Sequence, residues 1–430
     1  MTEIVVHVDP AHGMGGAACW VDSPYAVPNG HLVSFLTVDD LANLGPPNLV
    51  RQVGQGLADR IGANPSVRQV LDLVLAHPAA PPSLPIQFLV RDPVAHGLSW
   101  EALIGNNDFV ALNERWPIAR IARGAALEDN PRRPFVPPLR LMCVLSAVKE
   151  SAEQEWEAVY SEVVKARAAG LPVEVTLVAG QEEKLLVPAA KLKDDDLEVL
   201  PVPNPAADTP LLALVAKKQP HILHVFCHGS VTDDVRLLEL GTIRDFARDD
   251  GRSSVLVRAE ELGLAAARAG TWCVLLNACR GAEAGDESLT HAEEVVAQGV
   301  PAAVGMRRQV DVKDANAFTR DWYPAVFAAL HEIVARGPGE HDLTWSELLV
   351  VARRRLRDMH GGNPGDDDTW TVPVLYKLPG PFRLVMPAQG VAEDQERSGL
   401  SETDLLDGLV AVLPPGADAQ MVADLQGLSG

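Results

Sequence analysis

The chain has 430 residues, 47% of them hydrophobic, and carries 37 basic against 58 acidic side chains, a net charge of −21 with a pI near 4.9. That length supports two domains, or one large sheet with additions. The acidic balance argues against a nucleic-acid or anionic-membrane surface, which needs clustered Lys and Arg, and no apolar run approaches the roughly 20 residues of a membrane span.

Ile4–Val8 and His31–Val38 read as strands around Gly13–Gly16, a glycine cluster that lacks the strand, helix and acidic partner of a dinucleotide loop and so reads as a turn. From Leu49 to Leu75, Val53, Leu57 and Ile61, then Val67, Val70, Leu71 and Val74, recur at helical spacing with a break at Asn64-Pro65, which predicts two helices. The proline-rich Pro78–Pro85 leads into a strand at Ile86–Val90, and a short strand follows near Ile118–Ile121. Glu128–Pro138 holds Pro131, Pro134, Pro137 and Pro138 and predicts an exposed linker.

Leu139–Val148 is unbroken in its apolar character, as a strand buried on both faces should be. Ser151 with Gln154 forms a capping box for a helix carrying Trp156, Val159, Tyr160, Val163 and Val164, stopped by Gly170 and Pro172. With a strand at Val173–Val178 this makes a strand, helix, strand unit and hence a parallel sheet. Lys193–Pro210 reads as a solvated loop and Leu211–Lys217 as a short helix. His221–Cys227 is a strand, Val231–Arg252 a charged loop beside a cleft, and Ala259–Ala269 a helix. Later come a helix at Ala292–Gln298, a strand at Pro301–Met306, a long helix at Ala315–Arg336 and a helix to Arg357 opened by a Thr344/Glu347 capping box. Val372–Leu378 and Phe382–Val385 are expected to finish the sheet.

The organisation is therefore an N-terminal half (1–127), a linker (128–138), a second α/β half (139–386) and a tail (387–430) with eight acidic residues against one Arg and two short amphipathic helices. Two such helices bury little, so the tail should lean on something else or begin an adaptor domain. Five cysteines without a C-x-x-C pair argue against a disulfide framework or a structural zinc. With no signal-peptide pattern at Met1–Pro10, the expectation is a cytoplasmic protein with free thiols.

The chemistry points to Trp272–Gly281, W-C-V-L-L-N-A-C-R-G, a short buried strand that carries Cys279 out at its C-terminal end. Upstream, His221–Cys227 runs into His228-Gly229-Ser230. A thiol needs a neighbouring base or another feature that lowers its pKa, and His228 can supply both if the strands are neighbours. Cys279 would attack a peptide carbonyl, with His228 protonating the leaving amine and then activating water. The backbone N–H groups of Gly229 and Cys279 are the natural oxyanion donors. Cys19, Cys143, Cys227 and Cys273 fit the ordinary pattern of buried structural thiols. The cluster His221, His224, Cys227, His228 is no metal site. Strand alternation puts His224 and His228 on one side and His221 and Cys227 on the other, and two ligands do not make a zinc site.

Asn-Ala-Cys-Arg-Gly differs only at its first position from a caspase signature whose His lies about 50 residues upstream. The chain resembles a CHAT-domain protease, a bacterial relative of caspases and separases. The elements that carry the resemblance are Gly97–Ala102, with Ser99 where proline usually stands in a Leu-Pro-Trp-Glu element, His224–Gly229, Leu275–Gly281, Val300–Gly305 and the W-x-x-P-x-L-Y pattern of Trp370–Tyr376, together spanning residues 85–385. It implies an α/β fold with a caspase-like, mostly parallel sheet flanked by helices and a degenerate N-terminal half. It also implies a His228/Cys279 dyad, no cofactor, and selective cleavage of a protein partner. Family members act as regulated proteases in bacterial defence, fused to or encoded beside a sensor, and some relatives cut gasdermin-like substrates. Asn277 stands where caspases have Gln and many CHAT proteins have Ser, a change at the pocket wall.

Asp311 and Asp314 follow the next strand, where separase-like relatives carry acidic residues near the first pocket. A carboxylate there favours Arg or Lys before the cut, whereas Arg307 and Arg308 would favour an acidic residue. The basic preference is the reading taken, with Asp314 alternatively capping the helix near Ala315. The first functional reading is a cysteine endopeptidase. The alternatives are a catalytically silent protein-interaction module of the same fold and a non-proteolytic thiol hydrolase or acyltransferase. A resting state restrained by Val231–Arg252 and the acidic tail is expected.

Overall fold

The computed structural model describes residues 3–11, 16–24, 33–37, 49–76, 83–123, 132–203, 210–233, 235–248, 253–278, 290–308, 310–361 and 367–388. Strands β1 (Ile4–Ala11), β2 (Gly16–Asp22) and β3 (Ser34–Thr37) form an antiparallel meander. The second of these was not anticipated, because its G-A-A-C-W-V-D sequence has small residues where a strand signal needs branched ones. Helices α1 (Val50–Ile61) and α2 (Pro65–Ala76) bury the expected stripes. Their break has a cause: Asn64 Oδ1 accepts from the N–H groups of Ser66 and Val67, capping α2, while its Nδ2 donates to Cys19 O at 2.8 Å. Then come β4 (Ile86–Val90), the small ribbon β5 (Ile104–Gly105) and β6 (Asp108–Phe109), and β7 (Ile118–Ile121). Part of the proline-rich linker stretch is ordered as β8 (Arg133–Pro134), followed by the fully buried Phe135.

The second half opens with β9 (Leu139–Leu145), α3 (Glu153–Ala168) and β10 (Val173–Ala179), the predicted parallel unit. The capping box is not formed. Ser151 Oγ lies 3.4 Å from the Glu153 N–H, and Gln154 instead accepts from Asn316 Nδ2 at 3.2 Å. The stretch read as a solvated loop contains β11 (Leu197–Pro201), a half-exposed edge strand with no apolar run to betray it. After α4 (Leu211–Lys218) comes β12 (Ile222–Thr232). The supposed cleft loop is a correction of the same kind: it folds into β13 (Val235–Leu240) and α5 (Ile243–Arg248) ahead of β14 (Val255–Arg258). Polar side chains on a hairpin that is wet on one face hide its period from the sequence.

The remaining elements are α6 (Ala259–Arg268), β15 (Cys273–Ala278), α7 (His291–Ala297), β16 (Ala302–Met306), α8 (Val312–Arg336), β17 (Gly339–Leu343), α9 (Trp345–Met359), β18 (Pro373–Lys377) and β19 (Phe382–Met386). Thr344 makes no side-chain cap at α9, and the Glu347 carboxylate is engaged by the Ser83 hydroxyl. The last strand does not finish the main sheet but pairs with β17 and β8 in a separate three-stranded sheet.

The main sheet runs β11-β10-β9-β12-β15-β16-β18-β7-β4-β1-β2-β3. From β11 to β16 every neighbour is parallel, and from β18 to β1 likewise, but β16 and β18 are antiparallel. Two parallel blocks of opposite direction thus meet at one junction. Alternation along β12 divides the interior, with Ile222 and Phe226 in one apolar cluster and Leu223, Val225 and Cys227 in the other. Among the described residues no helix is long and apolar enough to cross a membrane, and no group of three or more His, Cys, Asp or Glu is placed to hold a metal ion.

Candidate active site

Parallel strands place their carboxyl ends on one edge, and β12 and β15 end there together. Their register runs from Ile222↔Cys273 to Cys227↔Ala278. His228 therefore follows the residue that pairs with Ala278, the last residue described before Cys279; Cys279 itself, with its N–H, lies outside the described residues.

Beyond Cys227 the strand leaves the main sheet and pairs with β13, opposing His228 to Glu239 and Gly229 to Leu238. His228 is half-buried and its Nε2 lies 2.6 Å from the Val148 carbonyl oxygen. A carbonyl can only accept, so the proton sits on Nε2 and Nδ1 keeps its lone pair. Nδ1 is buried and has no hydrogen-bond partner among the described residues. Two residues before Val148, at the end of β9, the Ser146 N–H donates to Phe226 O (2.7 Å) and the Gly241 N–H donates to Ser146 O (3.1 Å). Gly229 is buried in the same hairpin.

The other anticipated groups are occupied. Asp311, exposed, caps α8 by accepting from the Lys313 N–H at 2.9 Å, which is the role considered for Asp314. Asp314 instead faces His360, whose Nε2 is 2.9 Å from Asp314 Oδ1 and whose Nδ1 is 3.3 Å from Asp367. The Asp314 bond raises the pKa of His360 against a smaller opposing effect of burial. Arg308 and Arg307 both contact Asp368, so neither guanidinium stands alone.

Asn277 is not a pocket wall. It is fully buried, its Nδ2 donating to Glu155 Oε1 (2.5 Å) and Thr319 Oγ1 (2.9 Å). Thr319 Oγ1 donates to the same Glu155 oxygen at 2.6 Å. His224 Nε2 lies 2.9 Å from that oxygen, at ion-pair distance without hydrogen-bond alignment, and its Nδ1 is 3.2 Å from the Tyr323 hydroxyl. His224 is thus a core residue, as are Cys19, Cys143 and Cys273, whose thiols burial pushes up, to about 12 for Cys19. Nothing in the local sequence marks Glu155 or Thr319.

The family model described as CHAT domain matches residues 51–335, well over half of the chain. The chain belongs to the CHAT domain family. The resemblance to this family read from its motifs holds. Twenty-seven chains of solved structures match. One is separase from Saccharomyces cerevisiae in its complex with securin, 12% identical with a TM-score of 0.39, covering 84% of this chain. This CHAT chain spans about a fifth of the separase chain's length (21%). No curated protein sequence matches.

The Trp-Glu element of this CHAT chain and the start of α7 both carry buried ion pairs. Glu101, from the Trp-Glu element, is fully buried and grips Arg120 of β7 with both oxygens, at 3.0 and 2.7 Å. Burial is the largest single influence and works to raise the Glu101 pKa, but the charge and hydrogen bonds of Arg120 and the charge of Arg353 together outweigh it and hold the carboxyl below its usual range. Arg353 of α9, 0% exposed, donates to Ile118 O on β7 and to Pro373 O on β18. Glu293 of α7, just after the Cys279 segment, accepts from Arg123 through both its N–H and Nε and lies 2.8 Å from His96. His291 Nε2 meets Leu237 O of the hairpin at 3.1 Å. Helix α7 is thereby tied to the N-terminal half and to the hairpin that carries His228.

Proposed function

We propose that the chain is a cysteine endopeptidase in which His228 is the base for the Cys279 thiol. The observation that carries this reading is the Cys227↔Ala278 register together with the Val148 carbonyl, which leaves His228 Nδ1 as the free lone pair at the end of the neighbouring strand. Nδ1 takes the thiol proton and the thiolate adds to a peptide carbonyl. The resulting oxyanion is met by backbone N–H groups, for which Gly229 and Cys279 are the candidates. The imidazolium then protonates the leaving amine. Nδ1, neutral again, deprotonates the water that hydrolyses the thioester.

The partner under this reading is a protein substrate, a gasdermin-like or other effector encoded nearby, with a regulatory sensor and a place in a bacterial defence or cell-death system; these rest on the motif resemblance. Free thiols fit action in the cytoplasm. The pocket keeps the basic preference, with Asp311 the exposed carboxylate and Asp314 shared with His360. The test is to express the chain and its Cys279→Ala form, each with the proteins encoded by neighbouring genes, and to sequence every new N-terminus. A discrete cut that needs Cys279 supports the reading and names the residue before the cut. Identical products, with no labelling of Cys279 by a thiol-directed electrophile, would leave the silent interaction module in its place.

A further inference from the structure

Val148, in the connection between β9 and α3, and Glu155, in the first turn of α3 that follows it, reach the two strands of the site. Val148 holds the His228 ring through its carbonyl. Glu155, in the first turn of α3, holds Asn277, two residues before Cys279, and Thr319 of α8 closes the triangle. Every other residue of β15 is apolar or a thiol. A carboxylate, an amide and an imidazole placed together in such a core cost desolvation that an apolar trio would not. What such a network supplies is a single geometry, since the donors converge on one oxygen and admit one arrangement. Asn277 meets Glu155 from α3 and Thr319 from α8; beyond them, His224 of β12, which neighbours Leu275 and Cys143 in register, lies beside the same Glu155 oxygen, and Tyr323 of α8 meets the other nitrogen of His224.

We propose that Asn277, held by Glu155 and Thr319, is a positioning residue for the nucleophile, so that the 148–155 stretch sets both members of the dyad from one template. The inference rests on the dyad reading above and deepens it.

The test is the pH profile of Cys279 alkylation by iodoacetamide, followed by mass spectrometry, in the full chain and in Thr319→Val and Thr319→Ser, with melting temperatures measured alongside. An ordinary thiol inflects near pH 8.5 (about 8–9). The wild type is expected to inflect lower and His228→Ala to return to the ordinary value. Thr319→Val, isosteric but without the hydroxyl, is expected to move toward the ordinary value and to lose roughly 10- to 100-fold in alkylation rate at neutral pH. Thr319→Ser should keep the wild-type profile. An unshifted Thr319→Val overturns the inference. So do equal shifts in both variants that track their melting temperatures. If Thr319→Val does not fold, Glu155→Gln is read in the same way. A wild-type profile unaffected by His228→Ala would instead overturn the dyad itself, and the inference with it.

Discussion

Glu101→Gln keeps the shape of the side chain and removes its charge. Glu101 and Arg120 are 0% and 2% exposed, and the carboxylate also opposes Arg353 and Arg307 electrostatically. Arg353 meets only backbone carbonyls among its hydrogen bonds, and burial lowers its pKa to about 10. One carboxylate therefore faces two fully buried guanidinium groups, Arg120 and Arg353, and adds to Asp368 at the partly buried Arg307. Breaking a buried pair by removing one partner costs roughly 3–5 kcal/mol, against about 0–1 for a surface pair. Total stabilities are about 5–15 kcal/mol, so the loss is a large part of the whole. The assay is urea unfolding read by fluorescence and circular dichroism, used where the two transitions coincide. Glu101→Leu with Arg120→Met should recover only part, because Arg353 still lacks its counter-charge. The pH dependence has a definite sign. The Glu101 pKa is depressed in the fold, so its contribution is present above the unfolded value of 4.5 and is lost as pH falls through the folded value. The gap between wild type and Glu101→Gln should close in acid. A cost under about 1 kcal/mol, or a gap that is independent of pH, would refute the reasoning.

His228→Ala should lower substrate cleavage by about 10²- to 10⁴-fold without a matching fall in melting temperature, since among the described residues its ring makes one hydrogen bond, to a backbone carbonyl. His360→Gln should destabilise most at acidic pH. The folded pKa of His360 is raised, so its contribution is full below the unfolded value of 6.5 and disappears as pH rises through the folded one; at a partly exposed site the effect is at most about 1 kcal/mol in thermal melts across pH 5–9. Arg353→Met should cost about 2–6 kcal/mol, about 1–3 for each of two buried carbonyls left without a donor, measured by chemical denaturation.

What the sequence disclosed was local. Ile86–Val90 and Ile118–Ile121 read directly because a strand buried on both faces has to be apolar throughout. The strand pair carrying His228 and the N-A-C-R-G motif was legible for the same reason. Hidden were the features whose partners are distant. Glu155 lies 122 residues from Asn277 and Glu347 lies 264 from Ser83, so each looked like an ordinary first-turn acid of a helix. The group that fixes the His228 ring is a backbone carbonyl, which every residue possesses and no motif can mark. Asp311 and Asp314 were found as acids at a helix start, but which of them capped it depended on where α8 began, at Val312 rather than Ala315.

The reversal of strand direction between β16 and β18 bears on how such a protein can diversify. Because Met306 pairs with Pro373, β18 enters the sheet at the same rim where β12, β15 and β16 leave it. Val372 accepts from the Arg307 N–H and Asp368 contacts Arg308 just outside that entry. A stretch encoded some ninety residues after the N-A-C-R-G motif therefore borders the rim without contributing a ladder bond to the strands that carry it. If the proposed pair is catalytic, substitution at the partly exposed Asp367 and Thr369 gives recognition a route to drift independently of it, while the buried Trp370, Thr371 and Val372 hold the stretch to the sheet.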